Sequence, residues 1–146
     1  MSPEELDLSD EDTARAVHEV GLRAYRVEAD LIGFDGIPAL RETLPEMRAL
    51  ALRWRGCRAG GVVVAFVAWA DGDIDRLCVD PAWFRRGLAT TLLRDLVART
   101  EGDLSVTTGA ENAPAVALYE RAGFTRTGTL EPEPGLRLAA FRLQRG

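Results

Sequence analysis

The sequence predicts one α/β domain whose elements run β-α-α-β-β-β-α-β-α-β-β along 146 residues. Three observations predict it. Runs of strand formers, such as Val62 to Trp69, sit between Gly60-Gly61 and Asp71-Gly72, which are hairpin signals. Two segments carry the helical period: Val17, Val20, Ala24, Val27 and Leu31 mark one face, and Ala89, Leu92, Leu93, Leu96 and Val97 another. With 47% hydrophobic residues and no repeat, linker or low-complexity run, a chain of this length carries one core.

Taken in order, Glu4 to Leu8 reads as a short edge strand. Ser9 or Asp10 caps the first helix, and Glu11 and Asp12 suit its positive end. Gly33-Phe34-Asp35-Gly36 is a loop. A second helical region turns Ile37, Leu40, Leu44 and Met47 inward; Pro45 breaks it, and Thr43 with Glu46 forms a capping box for a new turn. Leu52 to Arg58 and Val62 to Trp69 form a hairpin, the second strand apolar enough to be covered on both faces. Ile74 to Asp80 is the next strand, stopped by Pro81, and the helix that follows runs from Gly87 to about Arg99. Leu104 to Thr108 is a strand. Asn112, Pro114 and Gly123 bracket the last helix as cap, first turn and stop. Phe124 to Leu130 and Leu136 to Leu143 make a final antiparallel pair joined through Pro132 and Pro134.

The net charge of −5 argues against a nucleic-acid partner and agrees with a cationic one. No run approaches the roughly 20 apolar residues that span a membrane. The start, MSPEELDLSDED, is the opposite of a signal peptide, so a cytoplasmic protein is expected. Two cysteines, Cys57 and Cys78, and one histidine, His18, build neither a zinc site nor a Ser/His or Cys/His catalytic set. The cysteines are expected reduced and buried in strands, and His18 structural. All 18 basic residues are arginine, so the protein has no lysine of its own to modify.

Two stretches carry the chemistry. In IDRLCVDPAWFRRGLATT, residues 74–91, a strand meets a basic turn that opens into a helix. The first-turn N–H groups have no helical acceptor, the helix dipole adds positive potential, and Gly87 lets a ligand approach the backbone. With Arg85 and Arg86 they form an anion seat suited to a pyrophosphate; an ordinary strand-to-helix connection with solvated arginines reads equally well from this stretch alone. The second stretch is NAPAVALYERAGF, residues 112–124.

Together and in this order the two stretches resemble the GNAT superfamily of acyl-CoA-dependent N-acetyltransferases. The first is similar to that family's Gln/Arg-x-x-Gly-x-Gly/Ala loop, with Gly87 and Ala89 in the last two fixed places and Phe84 where Gln or Arg is usual. The second is similar to its Asn-x-x-Ala-x-x-Leu-Tyr-x-x-x-Gly-Phe signature at Asn112, Ala115, Leu118, Tyr119, Gly123 and Phe124. The resemblance covers essentially the whole chain. It implies a mixed central sheet of about seven strands flanked by about four helices, whose fourth and fifth strands splay into a cleft. It implies acetyl-CoA as co-substrate, with no metal. The loop Arg85, Arg86, Gly87, Leu88, Ala89 and Thr90 would hold its phosphates, and the backbone of Leu77, Cys78 and Val79 its pantetheine arm. Asn112 would bond that arm or simply cap its helix, and Arg121 could reach the phosphates. Tyr119 is the implied proton donor to the departing thiolate.

The acceptor would be a small-molecule or peptide amine, and a homodimer through the final strand is possible. Tyr25, Glu28, Asp30 and Phe34 are candidate lining residues, or a solvated helix face in the case of Glu28 and Asp30. Asp75 is the first candidate for the base, and Asp73, which strand alternation puts on the same side, is the second. Glu111, Glu28 and a water chain stay open. Cys78 lacks a nearby histidine and reads as a core thiol rather than an acyl carrier. Two other functions compete: a non-catalytic acyl-CoA-binding or regulatory module on the same fold, and a nucleotide-phosphate binder at 85–90, which the missing Gly-Lys-Ser/Thr ending disfavours.

Overall fold

The computed structural model describes residues 1–145. Seven strands form one sheet: β1 (Glu4–Glu5), β2 (Arg53–Ala59), β3 (Val62–Ala70), β4 (Asp73–Val79), β5 (Leu104–Gly109), β6 (Thr125–Glu133) and β7 (Leu136–Leu143). Four helices flank it: α1 (Glu11–Ile32), α2 (Leu44–Arg48), α3 (Leu88–Arg99) and α4 (Ala113–Arg121). The strand order is β1-β2-β3-β4-β5-β7-β6, and β4–β5 is the parallel neighbour pair in an otherwise antiparallel sheet. The mixed seven-stranded sheet and four helices are those expected.

The helices start and stop where the sequence places its caps. Asp10 accepts from Thr13 N at the start of α1, and Gly33, at φ +65°, ends it. Thr43 and Glu46 make the expected capping box on α2, after a 3-10 turn at Pro38–Leu40. Asn112 caps α4 through Ala115 N at 3.3 Å. His18 contacts the Glu42 carbonyl at 2.8 Å, a structural role.

Two cores cover the sheet. On one face α1 and α2 pack Val17, Val20 and Met47 against Trp54, Phe66 and Cys78. On the other, α3 and α4 pack Leu92, Leu93, Leu96 and Tyr119 against Val67, Val106 and Phe141. Leu92, Leu93 and Leu96 are all essentially inaccessible, so truncating any one to alanine costs about 2–5 kcal/mol. Arg55 on β2 reaches Asp95 on α3 at 2.7 Å and ties that helix to the sheet.

Three expectations need correction. β1 ends at Glu5: Leu6 N still donates to Trp54 O, but from Asp7 the chain turns towards α1, with Asp10 N donating to Asp7 O. β6 runs through Pro132, with the turn at Pro134-Gly135; an edge strand has no outer partner for the missing N–H, and a register shift between Leu130 and Glu133 absorbs the residue. Asp73 and Asp75 do not share a face. Ala68 pairs with Arg76 and Trp69 with Ile74, so Asp75 is the extra residue of a β-bulge.

Candidate active site

That bulge lies where β4 leaves β5. The two strands pair only at Asp73↔Ser105 and Ile74↔Val106, then separate. A cleft of about 740 Å³ opens between them, bounded by α1, the start of α3 and α4.

The backbone facing the cleft follows from strand alternation. Asp80 N donates to Val64 O on β3 at 2.8 Å, so the N–H and C=O groups of Val79 and Leu77 point the other way, into the splay. Cys78 turns its backbone to β3 and its side chain under α1. On the far wall Ser105 N donates to Gly72 O, which puts Thr107 and Gly109 on the cleft-facing edge of β5. Gly109 N finds an acceptor in Glu28 Oε1 at 3.2 Å.

At one end of the cleft lies the anion seat. Asp80 caps a 3-10 turn, Pro81–Trp83, which the sequence did not reveal. The chain then passes through Arg85 at φ +65° and Gly87 at φ +75° before α3 begins. A non-glycine residue in the left-handed region costs about 1 kcal/mol or more, and such strain gathers where a ligand is held. The first helical bond is Thr91 N to Gly87 O, and no side chain caps Gly87. The N–H groups of Leu88, Ala89 and Thr90 are therefore left without helical acceptors. A Cβ built on Gly87 meets nothing within 4 Å, so the space over these amides is open to a ligand. A phosphorylated ligand fits this seat on geometry and charge.

Of the expected site residues, Asp75, Leu77, Cys78, Val79, Arg85, Gly87, Leu88, Ala89, Thr90, Asn112 and Tyr119 line the cleft, as does Arg121. Arg86 does not; its guanidinium lies over the Trp83 ring at 4.5 Å. Tyr25 and Glu28 line the cleft, whereas Phe34 packs on Gly135 at the β6–β7 turn and Asp30 is exposed outside it. Asp73 accepts from Ser105 Oγ at 2.8 Å, and Glu111 pairs with Arg137; both lie away from the cleft. Phe84, at the usual Gln or Arg place, is 42% exposed on the cleft rim, so the seat is built from main chain and Arg85.

The cleft's titratable groups are strongly coloured by burial. Tyr119 is 4% exposed, stacked edge-on against Phe124 at 5.5 Å. Burial, with Cys78 and Glu28 nearby, raises its phenol well above the usual tyrosine range and keeps it protonated. Its hydroxyl has no protein hydrogen bond among the described residues and is not sealed from the cleft. Burial likewise pushes the Cys78 thiol up to about 12.

Arg76 was not anticipated. It lies on the cleft floor, bonded to Glu42 at 2.7 Å and to Asp75 at 2.6 Å, with Trp54 5.9 Å away. Burial opposes its charge, but the hydrogen bonds it donates to Glu42 and Asp75 hold it protonated. An arginine beside Asp75 in the strand DIDRLCV was the available signal; its main partner is 34 residues away.

A mixed sheet splayed at its parallel pair, with an amide seat at one end and proton-bearing side chains within, is the frame of an acetyltransferase-type α/β domain. The chain belongs to the acetyltransferase (GNAT) family, whose family model matches residues 13–124. The UPF0157 protein YqkA of Bacillus subtilis (strain 168) is 36% identical over 136 residues, which cover 89% of this chain. The chain spans 40% of that protein's length. The fold is also that of a GCN5-related N-acetyltransferase from Rhodopseudomonas palustris: TM-score 0.75, 16% identity, 99% of this chain and 95% of that one covered. A third likeness is to YncA of Salmonella typhimurium, a putative acetyltransferase solved with acetyl-CoA: TM-score 0.70, 18% identity, 99% and 93% covered.

Proposed function

We propose that this chain transfers an acetyl group from acetyl-CoA to a primary amine, by direct attack with both substrates in the cleft. The observation that carries the proposal is the continuity of the strand edge at Leu77 and Val79 with the amide seat at Leu88–Thr90, one track for a long ligand with a phosphorylated end. The acetyl-CoA bound in the YncA structure supports the choice of ligand.

Acetyl-CoA supplies an acyl thioester, an acceptor of nucleophiles with a thiol leaving group. Everything else falls to this chain. Leu88, Ala89 and Thr90 offer N–H groups to the phosphates, with Arg85 beside them. Leu77 and Val79 hold the amide-bearing arm as an added strand. The Val79 N–H then faces the carbonyl oxygen as charge develops on it.

The amine must attack unprotonated. For an alkyl ammonium with pKa about 10.4, losing the proton at pH 7 costs on the order of 4–5 kcal/mol. Asp75 on the bulge takes that proton, directly or through a water. Tyr119, held protonated, gives its proton to the departing sulfur. It regains one from the second proton that the nitrogen sheds as the intermediate collapses, so that amide and free thiol leave and the proton on Asp75 passes to solvent. A Cys78 thiol at about 12 is inert as an acyl carrier, which supports direct transfer.

A second reading, an acyl-CoA-binding module without turnover, is favoured by one observation: Asp75 is already paired with Arg76. Titration with acetyl-CoA, followed by thiol release over an amine panel, separates the two. Turnover, with Asp75→Asn moving the pH–rate profile to higher pH, supports the enzyme. Binding without turnover supports the module, and no binding of acetyl-CoA or CoA overturns both.

A further inference from the structure

The proposed chemistry leaves one cleft carboxylate unused. Glu28 sits on the α1 wall at the i+4 position from Ala24, among the apolar residues Ala24, Val27 and Leu31, and those neighbours face the cleft. A helix that simply covered the sheet would carry an apolar residue there. Instead the carboxylate is oriented from the far wall: Gly109 N donates to Oε1 at 3.2 Å, with Thr108 Oγ1 at 3.5 Å. The fit is close, since a Cβ on Gly109 would stand 2.6 Å from Ile32 Cγ2 and 3.2 Å from Glu28 Oε1.

Both contacts use the same oxygen. Oε2 has no protein partner among the described residues and is not sealed off. No arginine reaches it, although Asp75 and Glu42 are each bonded to Arg76, and Asp80 to Arg23. Of the two carboxylates that line the cleft, Asp75 is paired with Arg76 and Glu28 has no cation among the described residues. Arg76 is shared between Glu42 and Asp75, so its charge is already engaged away from Glu28. Tyr119, 4% exposed, lines the same cleft from the opposite layer, near enough for the Glu28 charge to help raise its phenol.

We propose that Glu28 Oε2 binds a second cationic group of the acceptor, so that the preferred substrate is a diamine-type molecule: one amino group reacts near Asp75 and another stays charged against Glu28. The inference rests on the amine-acetylation reading. It makes Glu28 a specificity residue, not the proton acceptor.

The test is thiol release from acetyl-CoA with three matched acceptors: putrescine, butylamine and γ-aminobutyrate. The wild-type protein is expected to favour putrescine over butylamine by about tenfold or more in kcat/KM, chiefly through KM, and γ-aminobutyrate is expected to be the poorest. Glu28→Gln keeps an acceptor for Gly109 N and removes the charge; the putrescine-to-butylamine ratio then falls towards one through a raised KM for putrescine, and Glu28→Asp retains part of it. A wild-type ratio near one, or a ratio unchanged in Glu28→Gln, overturns the proposal while amine acetylation stands. An equal fall of kcat on both amines in Glu28→Gln places Glu28 on the proton path and also overturns it. No release with any amine, despite acetyl-CoA binding, defeats the parent reading instead.

Discussion

Replacing Gly87 by glutamate puts charge and bulk into the seat at a cost to folding that the structure bounds. The new Cβ meets no protein atom within 4 Å, so the penalty is the φ of +75° alone, about 1 kcal/mol. At roughly 2–4 °C per kcal/mol for a domain of this size, the melting temperature falls by about 2–4 °C and the variant stays folded. Binding suffers more. A carboxylate about 5 Å from a diphosphate, at an effective dielectric between about 20 and 80, costs about 1–3 kcal/mol per charge pair. The helix terminus is worth about 0.3–1 kcal/mol to an anion, and the new side chain competes for it. The sum, about 1–4 kcal/mol, weakens acetyl-CoA roughly five- to a thousandfold. Isothermal titration at near-physiological salt, with circular-dichroism melts as the fold control, reads both quantities. Gly87→Ala carries the strain without the charge and should bind better than the glutamate variant. A folded Gly87→Glu protein that binds acetyl-CoA within about threefold of wild type refutes the assignment of this turn as the phosphate seat.

Tyr119→Phe removes a hydroxyl that no protein group holds, so melting should be unchanged while kcat falls about a hundredfold; unaltered kcat removes Tyr119 from the chemistry. Cys57 and Cys78 are 0% and 4% exposed and their thiols are raised by burial, so iodoacetamide at mildly alkaline pH should leave the native protein unmodified and alkylate both after denaturation, read by intact mass. Rapid native labelling of Cys78 would reopen its role as a nucleophile. Gly109→Ala forces Ile32 and Glu28 away from β5, and urea unfolding should register a loss of about 1–3 kcal/mol; a neutral result would mean that α1 does not bear on the strand end.

What the sequence disclosed was local. The caps at Asp10, Thr43 and Asn112, the loop opening at Gly33, and the helix after Gly87 depend on residues within a few places of one another, and each is found where the residue types put it. What stayed hidden depends on partners far along the chain. The bulge at Asp75 exists only against β3, so counting alternate residues from Asp73 put two carboxylates on one face that the structure separates. Arg76 needs Glu42, and Glu28 needs Gly109, 81 residues on. Leu31 seemed a core position by its period, yet it is 47% exposed, because the last turns of α1 overhang the cleft and not the sheet. Helical period reports which residues share a face; it does not report whether that face meets protein or open space.

The cleft itself follows from how the sheet handles its parallel pair. Linking β4 to β5 in parallel requires a crossover, which α3 supplies, and so places a helix N-terminus beside the carboxyl end of β4. The bulge at Asp75 bends β4 away from β5 after two paired residues. Two strand edges are then left without a strand partner, and backbone groups at a half-buried edge demand hydrogen bonds from somewhere. The β5 edge is partly satisfied by the chain itself, where Glu28 reaches across to Gly109. On β4 no side chain does the same for Leu77 and Val79 among the described residues, though both are partly buried against the α3–α4 core. That asymmetry assigns the two walls different work. Under the proposed function the β4 edge would take the ligand that completes a strand, while the β5 edge, with Glu28 held against it, would present a charge to the acceptor.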